Sequence, residues 1–340
     1  MVASMQSQPF TPMALIGAGS WGTALAIHCA RAGHPTRLWA RDAALIESMR
    51  RDRVNARYLP GARFPAGLEA VADLGEALKG SRDVLIAVPS SAFRSTLELL
   101  KPRLDAGARI AWASKGFETS TGLLPHQVAG EVLGTRPGAV LSGPTFAREV
   151  GAGLPTAMTI ASRDAGFAEE LAVRLSGPNF RAYTQSDIAG VEVGGAVKNV
   201  IAIGTGIADG MGFGANTRVA LITRGLAEMT RLGLKLGARR ETFMGLAALG
   251  DLVLTCTDDQ SRNRRLGLAL GRGSTLAEAQ RSIAQVVEGV TAAIAVRGVA
   301  ERLGVDMPIC LEVYRVMHEG RAVRAALQAL MAREVRSETE

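Results

Sequence analysis

The sequence has few cysteines, few aromatic residues and few lysines, and each shortage excludes something. Three cysteines occur in 340 residues, far apart and without a CxxC pair, which argues against a disulfide framework or a cysteine zinc site, so no metal is expected. This usage favours a reducing, cytoplasmic location. Aromatic residues make up only 4% of the chain, too few to interleave with cations along a nucleic-acid-binding face. The cysteines are Cys29, Cys256 and Cys310.

Two further absences concern membranes and nucleic acids. The first 12 residues contain no basic segment followed by an apolar one, and no run of 18 consecutive apolar residues occurs. A chain that is neither exported nor inserted in a membrane is therefore expected. The formal net charge is +7, but the arginines are scattered along predicted helices rather than grouped, so no nucleic-acid partner is expected.

Positive charge comes almost entirely from arginine. Only five of the 39 lysine and arginine residues are lysine. A lysine in an apolar setting therefore indicates a need that arginine, which stays protonated, cannot meet. The lysines are Lys79, Lys101, Lys115, Lys198 and Lys235.

The length and the hydrophobic pattern predict two domains. Residues 1–188 alternate short aliphatic runs with amphipathic segments, which is typical of a doubly wound α/β domain with parallel strands. Residues 189–340 are predicted to form an all-helical domain. Strands are predicted at 13–19, 36–41, 83–89, 108–114 and 138–143, with weaker candidates at 68–73 and 156–162. Helices are predicted at 188–208, 216–236, 262–271, 275–283, 290–304 and 309–318.

The stretch "ALIGAGSWGTALA" has the GxGxxG spacing that binds dinucleotides, directly after a predicted strand and before a predicted helix. Gly17 permits the tight turn, Gly19 lets a pyrophosphate approach the backbone, and Gly22 lets helix and strand pack closely. Free N–H groups near Ser20 and Trp21 would bind the phosphates. A glycine turn in an unrelated α/β fold is the alternative.

The end of the second strand bears on the choice of cofactor. An acidic residue there would hold the adenosine ribose and favour NAD. The sequence "LWARD" instead places Ala40 and Arg41 at this point, with Asp42 one position beyond. Arg41 can neutralise a 2′-phosphate, so NADPH should be accepted. The alternative is that Arg41 stacks on the adenine or faces water.

Two loops follow predicted strands at the sheet edge where ligands of open α/β folds bind. "ASKGFE" places Lys115 there, and "SGPTFARE" places Gly143 and Thr145 there. Each loop alone is a weak indication, because Lys-Gly and Gly-Pro pairs are common in ordinary turns.

Lys198 lies in "VEVGGAVKNVIAIG", a glycine-rich apolar helix. Its neighbours at helical spacing are small and apolar, including Gly194 and Gly195, which suggests close approach of another backbone or of a ligand. Burial would lower the pKa of the lysine toward the range of proton exchange near neutral pH. The alternative is an ammonium that reaches water past a packed stem. Asn199 would bind a ligand or tie the helix to a neighbour.

The stretch "SRNRR" starts a predicted helix with arginines in its first turn, the unfavourable end for cations. That placement makes sense if an anion binds the helix N–H groups together with Arg262 and Asn263. The alternative is a solvated basic turn partly balanced by Asp258 and Asp259.

Together these motifs resemble the bacterial-type NAD(P)-dependent glycerol-3-phosphate dehydrogenases. The matching stretches also include "LGDLVLTCT" and "QVVEGV" and span residues 15 to about 290 in family order. The resemblance implies a Rossmann-type sheet followed by an all-α domain like the C-terminal domain of 6-phosphogluconate dehydrogenase. It also implies reversible reduction of dihydroxyacetone phosphate by NADH or NADPH to sn-glycerol 3-phosphate for phospholipid synthesis. A small-molecule substrate is the partner it implies, and a homodimer the assembly it allows.

The resemblance also assigns roles to residues. Lys198 matches the acid–base group, Lys115 would stabilise charge on the substrate oxygen, and Asp251 would position Lys198. Substrate positions are Lys115, Gly143, Thr145, Lys198, Asp251, Ser261, Arg262 and Asn263. Cofactor positions are Gly17, Gly19, Ser20, Trp21, Gly22, Arg41, Lys115, Ala147, Arg262, Val286 and Glu288.

Other functions fit the sequence less well. A related two-domain reductase of the ketopantoate or 6-phosphogluconate type could also use a lysine on a glycine-rich helix, but "SGPTF" and "SRN" favour glycerol phosphate. A non-catalytic dinucleotide sensor would not need a titratable lysine, and a nucleic-acid-binding protein should show a basic stripe.

Overall fold

The computed structural model describes residues 11–283 and 285–334. The described chain forms two compact units: the first comprises residues up to Ser114 together with Pro125–Ile188, and the second comprises Lys115–Leu124 together with residues from Ala189 onward. The main division falls after residue 188. The segment 115–124, which the sequence placed in the first domain, clusters instead with the second, because Phe117 and Leu124 are buried in the core of the second unit.

The first unit is built on a twisted mixed sheet of eight strands in the order β10-β9-β8-β7-β6-β1-β2-β5. All seven strands predicted from the sequence are present, and β1 and β6 are buried along their whole length. A separate antiparallel pair, β3–β4, was not predicted. The strands are β1 Met13–Ile16, β2 Thr36–Trp39, β3 Val54–Asn55, β4 Leu59–Arg63, β5 Leu68–Val71, β6 Asp83–Ile86, β7 Arg109–Trp112, β8 Gly138–Ser142, β9 Thr156–Ser162 and β10 Phe180–Gln185.

The sheet departs from the predicted parallel arrangement at one pair. β8 and β9 run antiparallel, whereas the other neighbours in the sheet are parallel. The helix between β8 and β9 has six residues and is therefore about 9 Å long, shorter than the roughly 16 Å of the five-residue strand β8. A helix of this length returns the chain only part of the way along β8, and β9 runs in the opposite direction.

Helices connect the strands of the first unit, and several begin at an aspartate. The carboxylates of Asp42, Asp73 and Asp164 each accept a hydrogen bond from the backbone N–H three residues on, which starts a helix in the usual way. The helices are α1 Ser20–Arg31, α2 Ala43–Asp52, α3 Leu74–Leu78, α4 Phe93–Leu100, α5 Pro125–Leu133, α6 Ala147–Ala152 and α7 Ala165–Leu175.

The second unit is helical, as predicted. Its central helix α8 is long and apolar enough to cross a membrane, but 89% of its most apolar window is buried inside the protein, as in the core helix of a globular domain. The helices are α8 Ile188–Gly210, α9 Ala215–Lys235, α10 Asp251–Thr257, α11 Arg262–Gly271, α12 Leu276–Ile283, α13 Glu288–Leu303, α14 Pro308–His318 and α15 Val323–Met331.

Glycines bring α8 and α11 into backbone contact. A methyl group at Gly206 of α8 would overlap the carbonyl oxygen of Arg264, and one at Gly267 of α11 would overlap the carbonyl oxygen of Ile203. Because neither helix carries a side chain at these points, the first turn of α11 is held directly against the helix that carries Lys198.

Candidate active site and dinucleotide-binding loop

The glycine motif forms the loop between β1 and α1. Gly17 has a φ of +112°, and a methyl group there would lie 2.6 Å from the carbonyl oxygen of Ala87, while one at Gly22 would overlap the carbonyl oxygen of Gly17. At Gly19 a methyl group would meet nothing within 4 Å. Gly17 and Gly22 therefore serve the fold, and Gly19 leaves open space above the backbone, as a bound pyrophosphate requires.

The start of α1 can accept an anion. Gly19 occupies the cap position, no side chain among the described residues caps the helix, and its first turn carries no acidic residue. Its N–H groups and the positive end of the helix dipole are therefore available. Ser20 donates a hydrogen bond from Oγ to the carbonyl oxygen of Tyr58 (2.8 Å), and Trp21 is partly buried. These residues fit a dinucleotide.

Asn55 is a supporting residue that the sequence did not reveal. Its side chain is fully buried and donates from Nδ2 to the carbonyl oxygen of Ala18 (2.9 Å) and to Oγ1 of Thr23 (2.8 Å). It therefore fixes the glycine loop from the β3–β4 pair. An asparagine within "RVNAR" carries no sequence signal for this role.

Arg41 and Asp42 differ in their availability. Asp42 caps α2 by accepting from the N–H of Leu45 (3.0 Å), and it lies 3.4 Å from Nη1 of Arg57. Arg41 is exposed and forms no hydrogen bond or ion pair with the residues that the structure describes. Its guanidinium is therefore free for a ligand phosphate.

The loop after β8 carries three predicted site residues. Gly143 has a φ of +155°, and a methyl group there would lie 2.9 Å from Cα of Met158. Thr145 donates from Oγ1 to the carbonyl oxygen of Gly143 (3.2 Å). Ala147 is the first residue of α6 and is partly buried.

Lys198, Asp251 and Lys115 form a cluster within the second unit. Nζ of Lys198 donates to Oδ1 of Asp251 at 2.5 Å, and Nζ of Lys115 donates to Oδ2 of the same carboxylate at 2.6 Å. The side chains of Asp251 and Lys198 are 2% and 9% exposed, and that of Lys115 is 16% exposed. Lys198 therefore does not extend to water, and the alternative of a solvated ammonium is wrong.

Thr255 belongs to the same cluster and was not predicted. Nζ of Lys198 donates to its Oγ1 at 3.1 Å, and that hydroxyl donates to the backbone carbonyl of Asp251 at 2.5 Å. Thr255 lies four residues after Asp251 on α10, so the two side chains share a helix face. The spacing in "DLVLT" places Thr255 on the face of Asp251, but a threonine in a helix is too common to indicate a role by itself.

Gly194, one of the two glycines before Lys198, is required by the packing of the helix. A methyl group there would lie 2.7 Å from the carbonyl oxygen of Ala247, in the single π-helical turn Leu246–Gly250 that precedes α10. The sequence suggested that these glycines allow close approach of either another backbone or a ligand, and at Gly194 it is another backbone. The contact brings Asp251 within reach of Lys198.

Burial and charge set the protonation of the cluster. Burial, together with a smaller contribution from the Lys115 ammonium, lowers the pKa of Lys198 from 10.5 to about 8, although the charges of Asp251 and Glu288 oppose the shift. Burial opposes ionisation of Asp251, but the ammonium groups of Lys115 and Lys198 outweigh it and hold the pKa of that carboxyl below its usual value. The lysine can thus exist in both protonation states near neutral pH.

A chain of amide contacts connects Asn199, the residue after Lys198, to α11 and α13. Asn263 donates from Nδ2 to Oδ1 of Asn199 (2.9 Å) and accepts from the N–H of Gly289 at its Oδ1 (2.9 Å). Asn199 therefore ties its helix to a neighbour, which was one of its two predicted roles. Ser261 caps α11 by accepting from the N–H of Arg264.

The arginines of "SRNRR" have separate functions. Arg264 is buried and pairs with Asp209 and with Asp259, so it serves the structure. Arg262 is partly exposed and donates from Nη1 to the carbonyl oxygen of Val286 (2.9 Å), which leaves most of its N–H groups for a ligand. Val286 is exposed, and Glu288 begins α13.

Comparisons with known proteins identify the family. The profile of the NAD-dependent glycerol-3-phosphate dehydrogenase N-terminus matches residues 12–168, and that of the C-terminus matches residues 187–328. The chain belongs to this family. A relative from Thioalkalivibrio sulfidiphilus named glycerol-3-phosphate dehydrogenase [NAD(P)+] is 56% identical over 98% of this chain and 99% of its own length.

Solved structures agree. Glycerol-3-phosphate dehydrogenase from Coxiella burnetii superposes with a TM-score of 0.93 at 48% identity and covers 95% of this chain and 99% of its own. A PanE/ApbA family ketopantoate reductase from Ralstonia eutropha, with a TM-score of 0.57, 16% identity and coverage of 94% and 99%, shares the fold alone. The predicted family, the Rossmann-type sheet with its helical domain, and the NAD or NADP cofactor are confirmed.

Proposed function

We propose that Lys198 is the acid–base group with which this enzyme reversibly reduces dihydroxyacetone phosphate to sn-glycerol 3-phosphate. The observation that carries the proposal is a buried ammonium held at 2.5 Å by Asp251, with a pKa lowered to about 8. A general acid or base works best when its pKa lies near the operating pH. Arginine could not serve, because it does not lose its proton.

The three charged side chains have distinct tasks in reduction. When bound, the nicotinamide supplies the hydride to the carbonyl carbon. Lys198 gives its proton to the carbonyl oxygen as negative charge develops there, and the ammonium of Lys115 stabilises that charge. Asp251 fixes the positions of both lysines. In oxidation, neutral Lys198 accepts the hydroxyl proton.

The start of α11 is proposed to bind the substrate phosphate. Arg262 and the first N–H groups of the helix provide donors, and the helix dipole favours an anion at this end. Ser261 and Asn263 hold the turn in shape, and the resemblance adds Gly143 and Thr145 as substrate contacts. Because Arg264 is neutralised by two aspartates, Arg262 is the arginine that we assign to the phosphate.

The cellular role follows from the product. Because sn-glycerol 3-phosphate forms the backbone of glycerophospholipids, we place the enzyme in their synthesis, in the cytoplasm. Its assembly as a homodimer is proposed from the family resemblance and can be checked by light scattering.

Replacing Lys198 tests the proton-transfer role. We expect Lys198→Ala to lower the turnover number for dihydroxyacetone phosphate by about 10²–10⁴-fold, the usual contribution of a general acid. Binding of NADPH, measured by fluorescence titration, should persist, because the glycine loop and Arg41 are unchanged. Lys235→Ala, an exposed lysine, is the control. Turnover retained in Lys198→Ala would disprove the role.

Replacing Arg41 tests the proposed acceptance of NADPH. The exposed, unpaired guanidinium can pair with a 2′-phosphate that NADH lacks. Arg41→Ala should therefore raise the KM for NADPH by about tenfold and change the KM for NADH little. Equal effects on the two cofactors would show that Arg41 contacts the adenine or water instead.

A further inference from the structure

The segment 115–124 carries Lys115 into the second unit, although it follows a strand of the first. The chain leaves the first unit after Ser114 and re-enters it at Pro125. Two apolar side chains in this segment, Phe117 and Leu124, are 2% and 1% exposed within the helical core. Lys115 is thus attached to the same body as the carboxylate that it binds.

The residues between these two anchors form a closed turn. The N–H of Glu118 donates to the carbonyl oxygen of Leu123 (2.9 Å), and the N–H of Gly122 donates to the carbonyl oxygen of Glu118 (2.7 Å). Oγ1 of Thr121 donates to Oε2 of Glu118 (2.7 Å). The carbonyl groups of Thr121 and Gly122 remain directed outward from this turn.

Arg302, near the end of α13, binds both of those carbonyl groups. Its Nη1 donates to the oxygen of Thr121 at 2.9 Å and its Nη2 to the oxygen of Gly122 at 3.4 Å. The contact is close, because a methyl group at Gly122 would lie 2.8 Å from Nη2 of Arg302 and 3.0 Å from Cγ2 of Val299. The side chain of Arg302 on α13 therefore holds the backbone of the turn in place.

We propose that Arg302 is a positioning residue for the reaction: by binding the turn 118–123 it holds Lys115 against Asp251. This inference rests on the proposed roles of Lys115 and Lys198. Arg302 itself binds the carbonyl groups of the turn and not the side chains of Lys115, Lys198 or Asp251. In this proposal, Arg302 acts on Lys115 through the segment 115–124.

The position of Lys115 has a measurable electrostatic effect. Among the described residues, the charges of Asp251, Lys115 and Glu288 act on the pKa of Lys198. The nearby thiol of Cys256 is buried, and burial raises its pKa to about 12. Of the three charges, that of the Lys115 ammonium lowers the pKa of Lys198. If Lys115 is held less firmly, the pKa of Lys198 rises, and a purely structural residue would not produce that change.

The first test compares Arg302→Ala with Arg297→Ala in the full-length enzyme. Arg297 lies on the same helix but pairs with Glu301 and Glu319. For Arg302→Ala we expect faster hydrogen exchange at Glu118 and Gly122, a three- to tenfold lower kcat/KM for glycerol 3-phosphate oxidation, and a midpoint of its pH profile raised by several tenths of a pH unit. Arg297→Ala should match the wild type.

Each other outcome is decisive. Unchanged exchange and kinetics in folded Arg302→Ala would overturn the proposal, and so would faster exchange with an unchanged pH profile. A wild type without activity on dihydroxyacetone phosphate would instead refute the proposed function, while exchange would still report on the turn.

A second pair of variants tests the contact from the other side and decides the question if Arg302→Ala does not fold. Gly122→Ala would push against Arg302, whereas Gly134→Ala has nearly the same backbone angle (φ +72° against +69°) and nothing within 4 Å. The two variants bear similar backbone strain, but only Gly122→Ala disturbs Arg302. Only Gly122→Ala should therefore raise the midpoint of the pH profile for glycerol 3-phosphate oxidation. Equal profiles in the two would overturn the proposal.

Discussion

At the scale of single residues, the proposed active site holds one carboxylate between two ammonium groups. Asp251 neutralises one positive charge of Lys115 and Lys198 and leaves about one in excess at a buried position. Isolated buried charge is unfavourable unless it is paired. The excess charge favours loss of a proton from Lys198 and, in the mechanism that we propose, stabilises the developing oxyanion of the substrate.

The rates in the two directions should depend oppositely on pH. Oxidation needs neutral Lys198, so its kcat/KM should rise through a pH of about 8. Reduction needs the protonated form, so its kcat/KM should fall over the same range. Initial rates between pH 6 and 10 check both. Parallel profiles in the two directions would contradict the assignment.

At the scale of secondary-structure elements, the glycine contacts of α8 and α11 join the lysine helix to the proposed phosphate site. Gly206→Ala would force the helices apart, and overpacking of this kind costs about 1–3 kcal/mol. We expect a lower free energy of unfolding and a raised KM for dihydroxyacetone phosphate.

Gly298→Ala is the matched control for this prediction. Gly298 also lies within a helix, but a methyl group there would meet nothing within 4 Å. Alanine should stabilise that position by about 0.5–1 kcal/mol. Urea unfolding and steady-state kinetics separate the two variants; equal stability would show that α8 and α11 can adjust.

The elements also show what the sequence could and could not predict. Seven strands and the main helices were predictable, because their apolar residues repeat at strand or helix spacing. β10 was missed because it is an edge strand with mostly exposed or half-buried side chains, including Tyr183. The antiparallel β9 depends on the length of α6, which pattern alone does not fix.

The site was predictable to the extent that each residue was chemically unusual for its surroundings. Lys198 stood out because it is a lysine in an apolar helix, in a chain whose positive charges are mostly arginine. Thr255 and Asn55 did not, because a threonine in a helix and an asparagine beside a turn are common. The attachment of Lys115 to the second unit depends on Phe117 and Leu124, whose burial partners are distant in the sequence.

At the scale of the whole molecule, Glu228 should make stability depend on pH. This buried carboxylate on α9 accepts the N–H groups of Ile309 (2.7 Å) and Cys310 (3.1 Å) at the start of α14. Burial outweighs those bonds and raises its pKa from 4.5 to about 7. The folded chain therefore binds this proton more tightly, and the stabilisation present below pH 4.5 is lost as the pH rises to about 7.

Glu228→Gln should abolish that dependence. The difference in the free energy of unfolding between wild type and variant should change by the order of 3 kcal/mol between pH 4.5 and 7. The partly buried His28 and the buried His34, whose pKa values are lowered, act in the opposite sense but equally in both proteins. Glu241→Gln, an exposed position, should behave as the wild type. A constant difference across this range would refute the prediction.

The segment 115–124 also determines how this enzyme can be divided. Because the polypeptide passes between the two units after residues 114, 124 and 188, a single cut at 188 does not yield two complete domains. A fragment starting at Ala189 would lack Phe117 and Leu124 from its core. It would also lack Lys115, one of the two lysines that pair with Asp251. Recombination that exchanged either unit between relatives would have to move two separate pieces of gene.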